Sequence, residues 1–313
     1  MNRKRLTVWW VKDGKPGHEN QVRGLLSALE RRFPLTIEEV APISFFGWLS
    51  GMVFNRYSAT DALADPHLII GAGHATHSAI LLARRQRGGF SIVLMKPAWW
   101  INNRWFNLCV TPEHDDLYEA GTILNTRGVL NTIQPATSLD QQAGLMLVGG
   151  PSKHHGWDSE EMLEQIRQVV ERNPDIAWTL TDSRRTPVGF LEQVAALNLA
   201  GMTTIPCQET PQGWVAEQLS RCRWVWVSED SVSMVYEAVT AGGSVGILTP
   251  PRRKQESRIT RGLESLVADG LVMPFDRWTL TNRLPPPSMT PFHEAERIAE
   301  AVVARLFKKS GDA

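Results

Sequence analysis

Apolar residues come in short, β-rich runs that alternate with stretches of helical period. Leu6–Val11 reads as a strand, Glu19–Arg32 as a helix with Val22, Leu25, Leu26 and Leu29 on one face, and Leu35–Val40 as a second strand. His67–Gly71 predicts a strand, His74–Arg87 a helix carrying Ile80, Leu81 and Leu82, and Ser91–Met95 and Phe106–Val110 two further strands. This is the βαβα rhythm of a parallel, doubly wound sheet.

The polar stretch Gln134–Gln142 breaks the rhythm and reads as a linker. The pattern then restarts with strands at Gly144–Val148, Ile176–Thr181, Trp224–Val227 and Ser244–Leu248. Helices are predicted at Ser159–Asn173, Pro187–Leu197, Gln212–Arg221 and Ser231–Ala241. After Pro285-Pro286-Pro287, Phe292–Phe307 predicts a terminal helix. The expected fold is α/β and GT-B-like: two Rossmann-like domains (1–135 and 143–284) facing a central cleft, with a C-terminal helix (291–308) packing back on the first domain.

The length of 313 residues suits two domains. With 42% hydrophobic and 21% charged residues the chain is globular rather than disordered. Lys plus Arg (33) balances Asp plus Glu (33), which argues against a nucleic-acid partner held by bulk electrostatics. The balance hides an asymmetry: residues 1–142 hold 15 basic and 12 acidic side chains, residues 143–313 hold 18 and 21. Pro66–Pro112 contains no Asp or Glu but carries Arg84, Arg85, Arg87, Lys96 and Arg104, a candidate contact for an anionic partner or simply a solvated helix end.

The apolar run after the basic Met1–Arg5 is too short for a secretory signal, and no run is long enough to span a membrane. Cys109, Cys207 and Cys222 are scattered, which fits buried thiols in a reducing cytoplasm better than disulfides or a zinc ribbon. Tryptophan (12) exceeds tyrosine (3). Trp178, Trp224 and Trp226 fall in predicted strands and read as core. Trp48, in the apolar run Ile43–Phe54, and Trp99, Trp100 and Trp105, in the acid-free stretch, read either as a core or lid element or as a seat on anionic lipid.

Candidate chemistry sits in six loops that follow predicted strands, the ligand-facing edge of an open α/β sheet. The first holds Asp13, Lys15, His18 and Gln21 with two glycines: a general base beside an anion site, or a turn with a polar cap. The second, Gly71-Ala72-Gly73-His74, resembles half of a dinucleotide fingerprint, but no acidic residue follows to hold a ribose, so NAD is not expected. His74 and His77 have no carboxylate or cysteine nearby to complete a metal site. The third places His114 beside Asp115, a held base or an acidic surface turn.

The fourth loop, with Gly149, Gly150, Ser152 and Lys153, suits a phosphate without being a Walker A motif. The fifth pairs Arg184 and Arg185 as an anion clamp. The sixth carries Glu229, Asp230, Ser231, Ser233 and Glu237: Asp230 or Ser231 to cap the helix, the serines to meet a diphosphate, and Glu237 to accept from ribose hydroxyls.

Six stretches in order, DGKPGHENQ (13–21), GAG (71–73), PEHD (112–115), GGPSKHHGWD (149–158), TDSRRTP (181–187) and SEDSVSMVYEA (228–238), resemble the mitochondrial-fission Elm family. That family is similar to GT-B glycosyltransferases, and its second half to the donor domains of Kdo and lipid-linked sugar transferases. The resemblance implies a metal-independent glycosyltransferase whose only cofactor-like ligand is its nucleotide-sugar substrate. Gly149, Gly150, Ser152 and Lys153 would meet the donor phosphates, and Arg184 and Arg185 the departing nucleotide. Glu229, Asp230, Ser231, Ser233 and Glu237 would complete the donor side. Asp13, His18, His114 and Asp115 would supply catalysis, and Lys15, Gln21, Gly73, His74 and Lys96 would face an acceptor. At His74–His77 and Lys96-Pro97 the chain departs from the family pattern, which bears on the acceptor. The expected acceptor is a lipid-linked or cell-envelope molecule, met in the cytoplasm or at the inner face of the cell membrane. A non-catalytic membrane or protein adaptor and a nucleotide-sugar epimerase are the alternatives.

Overall fold

The computed structural model describes residues 4–54, 56–113, 121–253, 258–287 and 291–308. Contacts divide the chain into two units: one runs to Thr132 and regains the chain from Glu294, the other is Ile133–His293.

In the first unit, β1 (Leu6–Val11), β2 (Leu35–Val40), β3 (Leu68–Ala72), β4 (Phe90–Leu94), β5 (Leu108–Pro112) and β6 (Ile123–Thr126) form a parallel sheet of order β2-β1-β3-β4-β5-β6. Register aligns Val8 with Leu68 and Ile70 with Ile92. Alternation along each strand sends successive side chains to opposite faces. Val8, Trp10, Ile70 and Ile92 join one core with Val22, Leu25 and Leu29 of α1 (Pro16–Glu30) and Ile298 and Val302 of α10 (Glu294–Lys308). Trp9, Val11, Ile69 and Val93 join the other, with Ala79, Ile80 and Leu82 of α3 (His77–Arg87), and Trp48 and Met52 of α2 (Phe45–Phe54) pack against it. Arg31 to Glu296 (2.8 Å) and Arg32 to Glu300 (2.9 Å) tie α10 to the end of α1.

In the second unit the sheet order is β12-β11-β10-β7-β8-β9. Its strands are β7 (Asp140–Leu147), β8 (Ala177–Thr181), β9 (Met202–Ile205), β10 (Cys222–Ser228), β11 (Ser244–Leu248) and β12 (Val272–Pro274). Its helices are α4 (Ser159–Glu171), α5 (Phe190–Ala196), α6 (Trp214–Arg221), α7 (Val232–Ala241), α8 (Arg258–Ala268) and α9 (Phe275–Thr281). Glycines make room for buried indoles: a Cβ on Gly144 would lie 2.3 Å from the Trp178 ring, and one on Gly246 2.5 Å from Trp226. Trp226 meets Trp278 edge-on with ring centroids 5.1 Å apart. Trp178 and Trp226 are buried, while Trp224 is half-buried and donates from Nε1 to the Gln141 carbonyl.

Several predicted boundaries move. α1 starts at Pro16, three residues early, because a proline in the first turn has no N–H to satisfy and a preset φ. His74–Thr76 is a separate 3₁₀ turn before α3. The expected linker is shorter, since β7 begins at Asp140; its first three residues are exposed and polar, which hid them from a hydrophobicity pattern. The edge strands β6 and β9 are only four residues long and half polar, so they carried no strand signal. Cys109 and Cys222 are buried thiols, but Cys207 is only half-buried. Among the described residues no helix is long and apolar enough to cross a membrane.

Candidate functional site

In a doubly wound sheet, ligands gather outside the carboxyl ends of the strands, where the strand order reverses. In the first sheet that point lies between β1 and β3. The loop after β1 carries Asp13, and the first turn of α1 carries His18. Asp13 Oδ2 meets His18 Nδ1 at 2.7 Å; the carboxylate is buried and the ring half-buried. Asp13 Oδ1 accepts from the Lys15 N–H at 3.2 Å. The loop after β3 contributes Gly73 at φ +78, and a Cβ there would stand 2.4 Å from His18 Cε1 and 2.5 Å from Nδ1. A glycine is therefore needed twice, for its dihedral and for the imidazole that covers it. With Nδ1 facing a carboxylate, Nε2 is the ring nitrogen of His18 left to meet a ligand.

The other first-unit residues scatter. Lys15 is exposed at the α1 N-cap, and His74 is exposed beside Gly73. Lys96 is half-buried and follows Met95, whose φ of +73 is unusual for a side-chain-bearing residue. Gln21 is buried on the inner face of α1 with Val22 and Leu25, so it does not face an acceptor: its i, i+4 spacing to Leu25 puts it on the stripe that meets the sheet. His114 and Asp115 lie outside the described residues. His77 is fully buried between His74 and Phe106, and burial lowers its pKa to about 4, which makes it a neutral core histidine. Among the described residues no group of three or more His, Cys, Asp or Glu is placed to hold a metal.

In the second sheet the order reverses between β7 and β10. Here the loops after β7, β8 and β10 are knitted together. The Gly149 N–H donates to Ser228 Oγ (2.7 Å) and the Gly150 N–H to Asp230 Oδ2 (2.9 Å). A Cβ on Gly149 would fall 2.1 Å from Asp230 Oδ2, and one on Gly150 2.1 Å from the Arg185 carbonyl oxygen. Arg185 closes the knot, donating to the Gly150 carbonyl (2.9 Å), Asp230 Oδ2 (2.7 Å) and Ser231 Oγ (2.8 Å). Thr186 Oγ1 adds a bond to the Gly149 carbonyl.

This network corrects four expectations. Arg185 is not a free anion clamp, because its guanidinium is engaged by Asp230 and backbone carbonyls. The Ser152 hydroxyl builds its own turn, accepting from the N–H groups of His154 (3.2 Å) and His155 (3.0 Å). Glu229 is buried and bonded to Arg252 through Nε (3.1 Å) and Nη2, so its carboxylate is already engaged by a guanidinium. Ser231 occupies the α7 N-cap position, but makes no side-chain capping bond there, since Arg185 and Asp230 hold its hydroxyl; nor does Asp230 cap the helix.

What remains open is chemically coherent. The first turn of α7 lacks a side-chain cap and carries exposed Ser233. Arg184 and Lys153 are exposed and make no hydrogen bond or ion pair among the described residues. Glu237, on the second turn of α7, is half-buried, and burial pushes its carboxyl up to about 7. Sequence reasoning missed Ser228, Thr186 and Arg252 as structural ties. The first two lay inside the conspicuous motifs, but a hydroxyl that bonds a distant loop has no signature in linear spacing.

Two Rossmann-like units, each a parallel six-stranded sheet with helices, and a C-terminal helix define a GT-B-like α/β fold class. Solved structures agree on the fold. A candidate UDP-N-acetylglucosamine 2-epimerase from Listeria monocytogenes superposes with a TM-score of 0.62 at 13% identity, covering 99% of this chain and 98% of its own. CalG4, the calicheamicin glycosyltransferase, gives 0.53 at 14% identity, covering 98% of this chain and 100% of its own. Among curated proteins, the uncharacterised RP120 of Rickettsia prowazekii is 21% identical, covering 95% of this chain and 98% of its own. Residues 16–306 match the mitochondrial fission ELM1 family, to which this chain belongs.

Proposed function

We propose that this protein transfers a glycosyl group from a nucleotide-activated sugar to a hydroxyl acceptor. The observation that carries this reading is the uncapped α7 N-terminus, held open by the Gly149–Gly150, Arg185 and Asp230 knot. Free N–H groups and the positive end of a helix receive a diphosphate, and Ser233, Arg184 and Lys153 are the side chains available to join them. Glu237, on the second turn of the same helix, is the carboxyl that would accept from ribose hydroxyls. In the first unit, His18 Nε2 takes the proton of an acceptor hydroxyl while Asp13 holds Nδ1. The acceptor oxygen bonds the anomeric carbon as the bond from that carbon to phosphate oxygen breaks. The nucleoside diphosphate leaves with the electron pair, its charge met by the helix end and Arg184. Members of this fold class include proteins named as glycosyltransferases and as nucleotide-sugar epimerases, which supports a nucleotide-sugar ligand in both cases.

The test is a thermal-shift screen of nucleotides and nucleotide-sugars on the full chain. A nucleoside diphosphate or its sugar should raise the melting temperature, and Arg184→Ala should abolish the rise without lowering the melting temperature of the free protein. Equal stabilisation of the variant would remove Arg184 from the site. Conversion of a nucleotide-sugar with no acceptor present would replace transfer by epimerisation.

A further inference from the structure

α2, Phe45–Phe54, contains no charged residue. Its inner side packs on the first unit's core through Trp48 and Met52, and a Cβ on Gly51 would stand 2.4 Å from Leu82 of α3. Its outer side is apolar too: Phe46 is 81% exposed, Val53 72% and Phe54 75%. The segment 98–106 covers the same core cluster through Ala98, Ile101 and Phe106. It turns Trp99 outward, 94% exposed, with Trp100 and Trp105 half exposed. The end of α3 bridges the two segments: Arg85 Nη1 lies 3.7 Å from Met52 Sδ, and Arg84 donates to the Trp105 carbonyl. A helix that serves only a core needs one apolar stripe, and a run of outward aromatics marks a surface with a partner.

The rim of this face is cationic. Arg56 and Arg87 are answered by Asp61 and Asp65, but Arg84, Arg85 and Arg104 form no ion pair among the described residues. No acidic residue occurs from Pro66 to Pro112 to neutralise them. We infer that the face formed by α2, Trp99–Trp105 and the end of α3 docks on an anionic lipid bilayer. The aromatic and aliphatic side chains enter the boundary between headgroups and acyl chains, and the arginines meet lipid phosphates. Charge selects this occupant over a second copy of the chain, because a two-fold interface would set the same unpaired arginines against each other. The inference uses none of the donor-side residues and does not depend on the transferase reading.

The full chain should float with vesicles of phosphatidylcholine plus phosphatidylglycerol, fail to float with phosphatidylcholine alone, and release as salt is raised. Arg85→Glu with Arg104→Glu should weaken binding by more than about fivefold per position, the loss anticipated for removing a basic residue from an anionic surface. Phe54→Ser with Trp99→Ser should weaken it by about tenfold or more per aromatic, with an unchanged melting temperature, since both side chains lie outside the core. Absence of flotation with either vesicle, or equal flotation with both, would overturn the inference. So would a dimer of the parent chain that Phe54→Ser with Trp99→Ser converts to monomer. The lipid and salt dependence of the parent chain decides even if a variant fails to fold.

Discussion

The two sheets bring their polar groups to the same topological position and treat charge there in different ways. In the first, the loops flanking the reversal meet where His18 covers Gly73; in the second, they meet where Gly149 and Gly150 bond Ser228 and Asp230. Asp13 is answered by an imidazole, whereas Asp230 is answered by a guanidinium. An arginine stays protonated, so the Arg185–Asp230 pair can only hold loops in place. A histidine held through one nitrogen still exchanges a proton at the other. In the reaction proposed above, the second unit's pair positions loops and the first unit's pair handles the proton. It also explains why two adjacent arginines with the same look in sequence differ: Arg185 is consumed by the scaffold and Arg184 is not.

The largest effect should come from breaking the scaffold. Arg185→Ala leaves the fully buried Asp230 carboxylate without its cation. Its Oδ1 already has no hydrogen-bond partner among the described residues. Removing one member of a buried pair is strongly destabilising, and because Arg185 is itself 41% exposed the cost should be near the low end, about 3 kcal/mol. Urea unfolding measures it. A loss below about 1 kcal/mol would mean that the backbone bonds of Gly149 and Gly150 hold the loops without the ion pair.

Glu237 gives a second contrast, because among the described residues its carboxyl is held by neither an arginine nor a histidine. Burial raises its pKa from 4.5 to about 7, so the folded chain binds this proton more tightly than the unfolded chain. Stability from that proton is complete below about pH 4.5 and is lost as pH rises through about 7. Glu237→Gln fixes the neutral form. Parent and variant should unfold alike in acid, and the variant should be the more stable by up to about 3 kcal/mol above neutrality. A difference that does not grow with pH would contradict burial as the cause.

Much of this was legible in the chain itself. Runs such as Leu68–Ala72, apolar throughout, and Ser244–Leu248, apolar after its first residue, need no partner information to be assigned as buried parallel strands. The Asp13, His18 and Gly73 cluster was visible as two strand-end loops, but their contact depends on β1 and β3 being neighbours, a property of strand order. A guanidinium or a hydroxyl at a strand end suits a phosphate, and Glu229 stands beside them as a donor-side candidate; in the fold Asp230, the Ser152 turn and Arg252 already engage Arg185, Ser152 and Glu229. Residue type tells what a group can bind; only packing tells whether it is already bound.

The smallest stability effect should accompany a large loss of activity if the first unit's pair is chemical. At Gly73, alanine must adopt a φ of +78, and its Cβ would sit within 2.5 Å of the His18 ring. At φ +78 and ψ 164 the backbone lies in a region kept almost entirely for glycine, which costs an alanine about 1 to 3 kcal/mol, and the ring, which is not packed in the core, relieves the clash by swinging away. That motion breaks the 2.7 Å contact with Asp13. Glycosyl transfer should fall by about two orders of magnitude, the usual worth of a general base. His18→Gln, which leaves the backbone alone, should lose the same activity with a stability change within about 0.5 kcal/mol. The pair of variants separates the two roles: if both keep full activity, or if His18→Gln destabilises as much as Arg185→Ala, the Asp13–His18 contact is a scaffold like its counterpart in the second unit.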